Sequence, residues 1–430
     1  MPPISRRYPV ITGLGVISSL GAGRERFAEG LLTGRSGVIA RPGREQDPLP
    51  CPTAAPVTDW LPSSLPGQRK NLKLMTRSVM LGLGAATLAL EDAGITPGSV
   101  APPRFGGYVG AGTATGDGRE LEPALARATQ SGSFDLGQFA QQGLPLINPL
   151  WLVKGLSNNV LGFISAQYRM MGPNLNICCS GVGGLLAIGE AAQAIRDDRA
   201  DVCLAGGHDS LLDIPTMALY ARLGLLTTNP DPATASRPYH AQRDGFVPGE
   251  GAAFLVVEDR EHARRRGARI LAYVAGFGST NSARDLATAG DDGRGVLAAA
   301  STALQEAGVT PVDMGLVVAH ASGSVSYDPA EAEALRRLMG PARDRTPVTA
   351  PKSMLGHAVA AAGAFNAATL LVALAARLVP PTLNLDEVAP GCQLAHVRNT
   401  PAPLPKVHGL ALAAGLAGQH AALYLSKAPL

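Results

Sequence analysis

The chain has 430 residues, 46% hydrophobic, 17% charged and only 4% aromatic. Its 51 glycines and 34 prolines follow no period, which excludes a collagen-like repeat, and so large an apolar share excludes a disordered chain. A net charge of +3 and an isoelectric point near 8.6 provide no dense basic field for nucleic acid.

The opening MPPISRRYPVITGLG carries two arginines but no apolar stretch leading to a small-residue cleavage site, so no signal peptide is expected. Val10–Thr12 predicts a first strand. Gly13-Leu14-Gly15 behind it is an incomplete dinucleotide turn, lacking the third glycine and a suitably placed acid. Ala89–Pro97 (ALEDAGITP) closes an Ala-rich helical stretch and leads into the apolar GGYVGAGTATG. The region near 115–150 lacks periodicity and is expected to be an insertion capping a site. Gly183–Ile195 predicts a helix of small residues, Asp201–Ala205 a strand ending at Gly206-Gly207, and Ala252–Glu258 a strand covered on both faces. The charge run Arg264–Arg269 is expected to be a solvated helix end.

The same helix ending then returns as ALQEAGVTP at Ala303–Pro311, 214 residues after the first (303 against 89). It is followed by MGLVVAHASGS and, further on, by a second small-residue helix at Gly363–Ala375. Helix, short loop, buried strand and small-residue turn make an α/β unit. The repeat therefore predicts two similar halves packed face to face, 1–258 and 259–430. Ala358–Ala376 runs 19 residues without a charge, near the length of a membrane span. Its Ala-dominated composition, with Asn366 and Thr369 inside, predicts a helix buried on all sides instead, with no membrane partner.

Five cysteines (51, 178, 179, 203 and 392) are too few and too irregular for a disulfide framework or a zinc site. A reducing cytoplasm is the expected setting, with no metal and no cofactor. The chemistry-bearing residues are instead His320, at a strand end in AHASGS, and His357, in PKSMLGHAVAAAG, with Lys352 five residues upstream. Such a histidine can polarise a carbonyl or accept a proton, and a nearby lysine can orient the site. In the first half, Cys178 and Cys179 lie near the start of the small-residue helix, where the helix dipole would lower a thiol's pKa. They are either part of a Cys/His/His site or small buried hydrophobes filling a strand.

These segments together resemble the β-ketoacyl synthase family of the thiolase fold, over nearly the whole chain. The resemblance rests on ITGLGVISSLG, GPNLNI with AIGEAAQAIRDDRADVCLAGGHDS, ASRPYHAQRDGFVPGEGAA, AHASGS, PKSMLGHAVAAAG and VPPTLNL. It implies a duplicated αβαβα five-layer fold, obligate dimers, and decarboxylative condensation of acyl and malonyl groups carried on acyl carrier protein. In that family a Cys takes the acyl chain, and two His and a Lys support malonyl decarboxylation; His320, Lys352 and His357 fall on those three positions.

The nucleophile does not carry over. Eleven residues separate the GPNL-like and AIGEA-like anchors in the family, with the Cys sixth; here they are NICCSGVGGLL and the sixth is Gly181. A glycine cannot form a thioester. Gly181-Val182-Gly183-Gly184-Leu185 is similar to the corresponding stretch of chain-length factors, the nucleophile-less partners in type II polyketide synthases, and VPGEG at 247–251 looks like theirs too. Where synthases carry Gly-Phe-Gly-Gly-His, this chain has Gly415-Leu416-Ala417-Gly418-Gln419-His420, so Leu416 replaces the gating Phe and Ala417 a glycine. Leu416, Ala417 and Asn158 are the expected substrate-lining positions. Retention of both histidines departs from chain-length factors of aromatic pathways and suggests reducing or polyene-type systems.

The resemblance thus implies a chain-length-factor-like subunit, partnered by a Cys-bearing ketosynthase and by acyl carrier protein. Arg69, Lys70 and Lys73 in RKNLK resemble the basic face that synthases offer to that acidic carrier. Two other readings stand beside it. One is an active synthase using Cys179 or Cys178, since Cys179-Ser180-Gly181 superficially resembles the family's Cys-x-Ser-Gly. The other is a malonyl-carrier decarboxylase using the two histidines and Lys352.

Overall fold

The computed structural model describes residues 7–42, 49–65, 70–112, 118–284 and 292–430. Among the described residues the main sheet has eleven strands, ten in one lateral row and a two-residue strand, Gly21–Ala22, folded back on the end of the first. In the first half the strands of the row are β1 (Pro9–Ser18), β2 (Phe105–Ala111), β3 (Asn174–Ile177), β4 (Val202–Ser210) and β5 (Glu250–Asp259). In the second they are β6 (Ala272–Asn281), β7 (Val317–Val318), β8 (Val348–Thr349), β9 (His408–Ala414) and β10 (Gln419–Ser426). Their lateral order is β8-β7-β9-β10-β6-β1-β5-β4-β2-β3. Each half therefore runs third, second, fourth, fifth, first, and the two first strands meet antiparallel at the centre, Val10 opposite Tyr273 and Ile11 opposite Ala272. Within each half the first three strands of that order are parallel, and the remaining two pair antiparallel.

Six helices matter for the site: α1 (Arg77–Asp92), α2 (Asn159–Tyr168), α3 (Gly183–Arg196), α4 (Arg294–Ala307), α5 (Tyr327–Met339) and α6 (Ala362–Ala376). Helices α1 and α4 cover the outer faces of their own halves, while α3 and α6 lie against each other in the middle. The result is the five-layer αβαβα arrangement.

The sequence repeat has a physical counterpart in these layers. A Cβ at Gly13 or Gly15 of β1 would fall 2.3 and 2.1 Å from the carbonyl oxygens of Ala89 and Ala85 in α1. A Cβ at Gly276 or Gly278 of β6 would fall 2.0 and 2.1 Å from those of Ala303 and Ala299 in α4. The same two turns of helix rest on the same two strand glycines in both copies, so backbone touches backbone. The AG of each repeat ends its helix: Gly94 and Gly308 sit at φ 66° and 68°, where a Cβ would be strained. In the middle layer a Cβ on Gly184 would lie 2.9 Å from the Ala364 Cβ, and one on Gly363 2.7 Å from the Leu185 Cβ. The low aromatic content follows from this spacing, because larger side chains would force the layers apart.

The membrane-like stretch lies in this core: Val359–Ala376 is 89% buried. Asn366 is retained in it because its amide nitrogen donates to the carbonyls of Ala319 (3.0 Å) and Leu412 (2.7 Å), tying the exits of β7 and β9.

Several expectations need correction. β1 continues through Gly13 and Gly15 to ten residues, since pairing with β5 on one side outweighs the glycines' weak strand propensity. β4 likewise continues beyond Gly206-Gly207 to Ser210. Arg266, in the run expected to be solvated, turns inward: its guanidinium bonds both oxygens of the buried Glu258 at 2.7 Å and the Ala93 carbonyl at 2.7 Å. Cys178 and Cys179 are not strand residues, because β3 stops at Ile177. Within 115–150, residues 115–117 lie outside the described residues. The rest folds into short helical pieces such as Glu122–Ala128, closed by a 2.7 Å Lys154–Glu120 ion pair. Leu136, Leu144, Leu146 and Leu152 stand exposed along it or just beyond.

Candidate active site

Two adjacent parallel strands deliver the basic residues. β7 ends just before His320, and β8 just before Lys352 and His357, so the neighbouring strand exits place these side chains together. The His320 and His357 rings stand edge to face with centroids 5.3 Å apart. His320 Nδ1 accepts the Ala414 backbone N–H at 3.0 Å, which leaves Nε2 to carry the proton of the neutral ring. His357 packs edge-on against Phe246 at 4.8 Å, and its buried Nδ1 finds no hydrogen-bond partner among the described residues. Burial holds both imidazoles well below the usual histidine range, and the neighbouring Lys352 charge pushes them the same way. They are neutral at pH 7.

Lys352 is buried and donates to the His320 carbonyl oxygen. Burial lowers its pKa to about 8 against the opposing pull of the Glu331 and Asp328 carboxylates. Those two acids, one turn apart on α5, hold the whole turn after β7. Glu331 accepts the N–H groups of His320 (2.8 Å) and Ala321 (2.9 Å) and the Tyr239 hydroxyl (2.8 Å). Asp328 accepts those of Ser322 and Gly323 (both 3.1 Å) and of Tyr239 (2.9 Å). Four consecutive backbone donors are thus satisfied by one helix. Burial raises the pKa of both acids. Neither was singled out from the sequence, where DPAE reads as an ordinary helix start; two acids three apart, beginning four residues after AHASGS, were the available signal.

The other half contributes the elbow. A 3-10 turn, Ser180–Val182, precedes α3, and a Cβ on Gly181 would lie 3.5 Å from His320 Cε1. Gly181 therefore belongs to the same constellation as His320, Lys352 and His357. Cys178 and Cys179 lie between the end of β3 at Ile177 and this turn. The Cys178 thiol is exposed and directed at the Gly112 carbonyl, 3.9 Å away. Burial, with Cys178 beside it, raises the Cys179 pKa, opposite to the shift a nucleophilic thiol needs.

Leu416 and Ala417 border the elbow. The Leu416 N–H donates to Ser180 Oγ at 3.2 Å, and Ala417 keeps a left-handed backbone, φ 62°, although it is not glycine. Asn158 is exposed at the N-terminus of α2 and makes no side-chain cap there. Lys70 and Lys73 are exposed on the segment leading to α1; Arg69 lies outside the described residues.

A duplicated αβαβα core with a His/His/Lys cluster at the junction of its halves defines a protein of the thiolase-like fold. Residues 9–263 match the β-ketoacyl synthase N-terminal domain and residues 271–386 its C-terminal domain. The chain belongs to the β-ketoacyl synthase family. It is 32% identical over 425 residues to 3-oxoacyl-[acyl-carrier-protein] synthase 2 of Coxiella burnetii, covering 99% of both chains. It is also 32% identical over 419 residues to the tetracenomycin polyketide synthase ketoacyl synthase alpha subunit of Streptomyces glaucescens, covering 97% of this chain and 96% of that one. Among solved structures it resembles a type II polyketide ketosynthase in complex with its acyl carrier protein and bound to a hexaketide (TM-score 0.87, 29% identity, 99% and 100% covered). It resembles the ishigamide ketosynthase/chain length factor with TM-score 0.86, 29% identity and the same coverage.

Proposed function

We propose that this chain is the nucleophile-less, chain-length-factor-like subunit of a β-ketoacyl-carrier-protein synthase heterodimer of the type II polyketide or fatty-acid kind. Gly181 carries the reading: the elbow beside His320 holds a residue with no side chain. The subunit pairs with a Cys-bearing synthase across a pseudo-twofold axis and helps wall the tunnel in which the acyl chain grows. Leu416, Ala417 and Asn158 are the proposed tunnel contacts, and residues 1–258 and 259–430 the proposed halves. Exposed Lys70 and Lys73, with Arg69, offer positive charge to an acidic carrier protein.

Co-expression with a tagged synthase from the same source tests this reading. The expected result is a one-to-one complex that condenses, while this chain alone binds no acyl group. A soluble, condensing chain that forms no complex would refute it. Carbon dioxide release from malonyl-carrier protein by the isolated chain would instead assign a decarboxylase role to His320, Lys352 and His357.

A further inference from the structure

The place of the missing nucleophile is filled by backbone. The carbonyl oxygen of Ala414, the last residue of β9, lies 2.0 Å from where a Cβ on Gly181 would be. This is a backbone atom at a strand end, so it cannot swing aside as a side-chain tip could. The neighbouring residue then fastens the arrangement: Ser180 Oγ accepts the Leu416 N–H at 3.2 Å. Ser180 does this from a left-handed backbone, φ 47°, a conformation serine seldom adopts. On its far side the same loop is bolted to the end of β6. There the Asn281 amide donates to the Ala417 carbonyl at 2.9 Å, and the Ser282 N–H to the Gly418 carbonyl at 2.8 Å.

We infer that Ser180 is a latch residue: its hydroxyl holds the 414–418 loop against the elbow and keeps this subunit's site closed to acyl groups. Loss of the cysteine is then only half of the inactivation, and replacing Gly181 by Cys does not restore a working elbow. The inference deepens the nucleophile-less reading and rests on it. With its own elbow closed, this subunit walls the tunnel without loading an acyl group itself.

The test uses the full-length chain in its purified form, with Gly181→Cys and Ser180→Ala/Gly181→Cys variants. Alkylation of residue 181 by iodoacetamide is followed by tandem mass spectrometry, which separates it from Cys178 and Cys179 in the same peptide. Rates are referred to the same residue in urea. The single variant should be protected at least a hundredfold, and Ser180→Ala should remove at least tenfold of that protection. Free alkylation of the single variant, or a rate indifferent to Ser180, overturns the latch. Should the cysteine variants fail to fold, Ser180→Ala alone decides by hydrogen exchange. Faster exchange confined to the peptide holding Leu416 supports the latch, and an unchanged rate there overturns it. Failure of complex formation would count against the proposed function and leaves these readouts unaffected.

Discussion

Glu331 is the residue whose removal should damage the site most. Its carboxylate is wholly buried and accepts three hydrogen bonds, from the His320 and Ala321 N–H groups and the Tyr239 hydroxyl. Glu331→Ala leaves three buried donors without an acceptor, each costing about 1–3 kcal/mol. Relief from burying a carboxylate offsets part of that sum, so a net loss of about 3–5 kcal/mol is expected, as when one member of a buried charged pair is deleted. Glu331→Gln keeps one oxygen for the Ala321 N–H and the Tyr239 hydroxyl but sets an amide NH2 against the His320 N–H, and should lose about 1–3 kcal/mol. Urea unfolding followed by circular dichroism at a common slope measures both. If Glu331→Ala unfolds within about 1 kcal/mol of the parent, or Gln proves worse than Ala, the carboxylate is not what holds the turn after β7.

Asn366→Leu should cost about 1–3 kcal/mol by stranding the carbonyls of Ala319 and Leu412, and Asn366→Asp should cost more by facing them with negative charge; the same unfolding experiment ranks them. Lys352 has a folded pKa near 8, below the ordinary lysine value, so the folded state binds fewer protons between about pH 8 and 10.5. Relative to Lys352→Met, the parent should therefore gain up to about 3 kcal/mol as pH rises through that window; a pH-independent difference would refute it. His420, pushed down to about 4 by burial, resists a proton that the unfolded chain takes up below about 6.5. His420 alone should account for up to about 3 kcal/mol of the stability lost from pH 6.5 to 4, and His420→Asn should make acid unfolding curves shallower by that amount.

Much of this site was legible because its residues sit in short, rigid segments. His320 and His357 follow strands in small-residue turns, and the count between flanking anchors placed Gly181 without a gap. The repeat ALEDAGITP/ALQEAGVTP was readable because both copies meet the same constraint, helix carbonyls resting on strand glycines. Asp328 and Glu331 were not legible, since an acid on a helix start normally faces water and only the fold turns these two inward. Arg266 was missed for the same reason: a charge run says nothing about which member finds a buried carboxylate. The length of β1 was underestimated because its glycines are chosen by the helix packed on it rather than by strand propensity.

The sheet order has a consequence for how the chain is made. β1 is synthesised first, yet its neighbours β5 and β6 begin at Glu250 and Ala272. At about 5–20 residues per second, a ribosome leaves all but the last two residues of this ten-residue apolar strand unpaired for on the order of ten to fifty seconds. During that wait it has the character of an aggregation-prone edge. The central seam of the sheet can close only after more than half of the protein has left the ribosome, so yield in a foreign host should depend more on chaperone supply than on the stability of the finished fold.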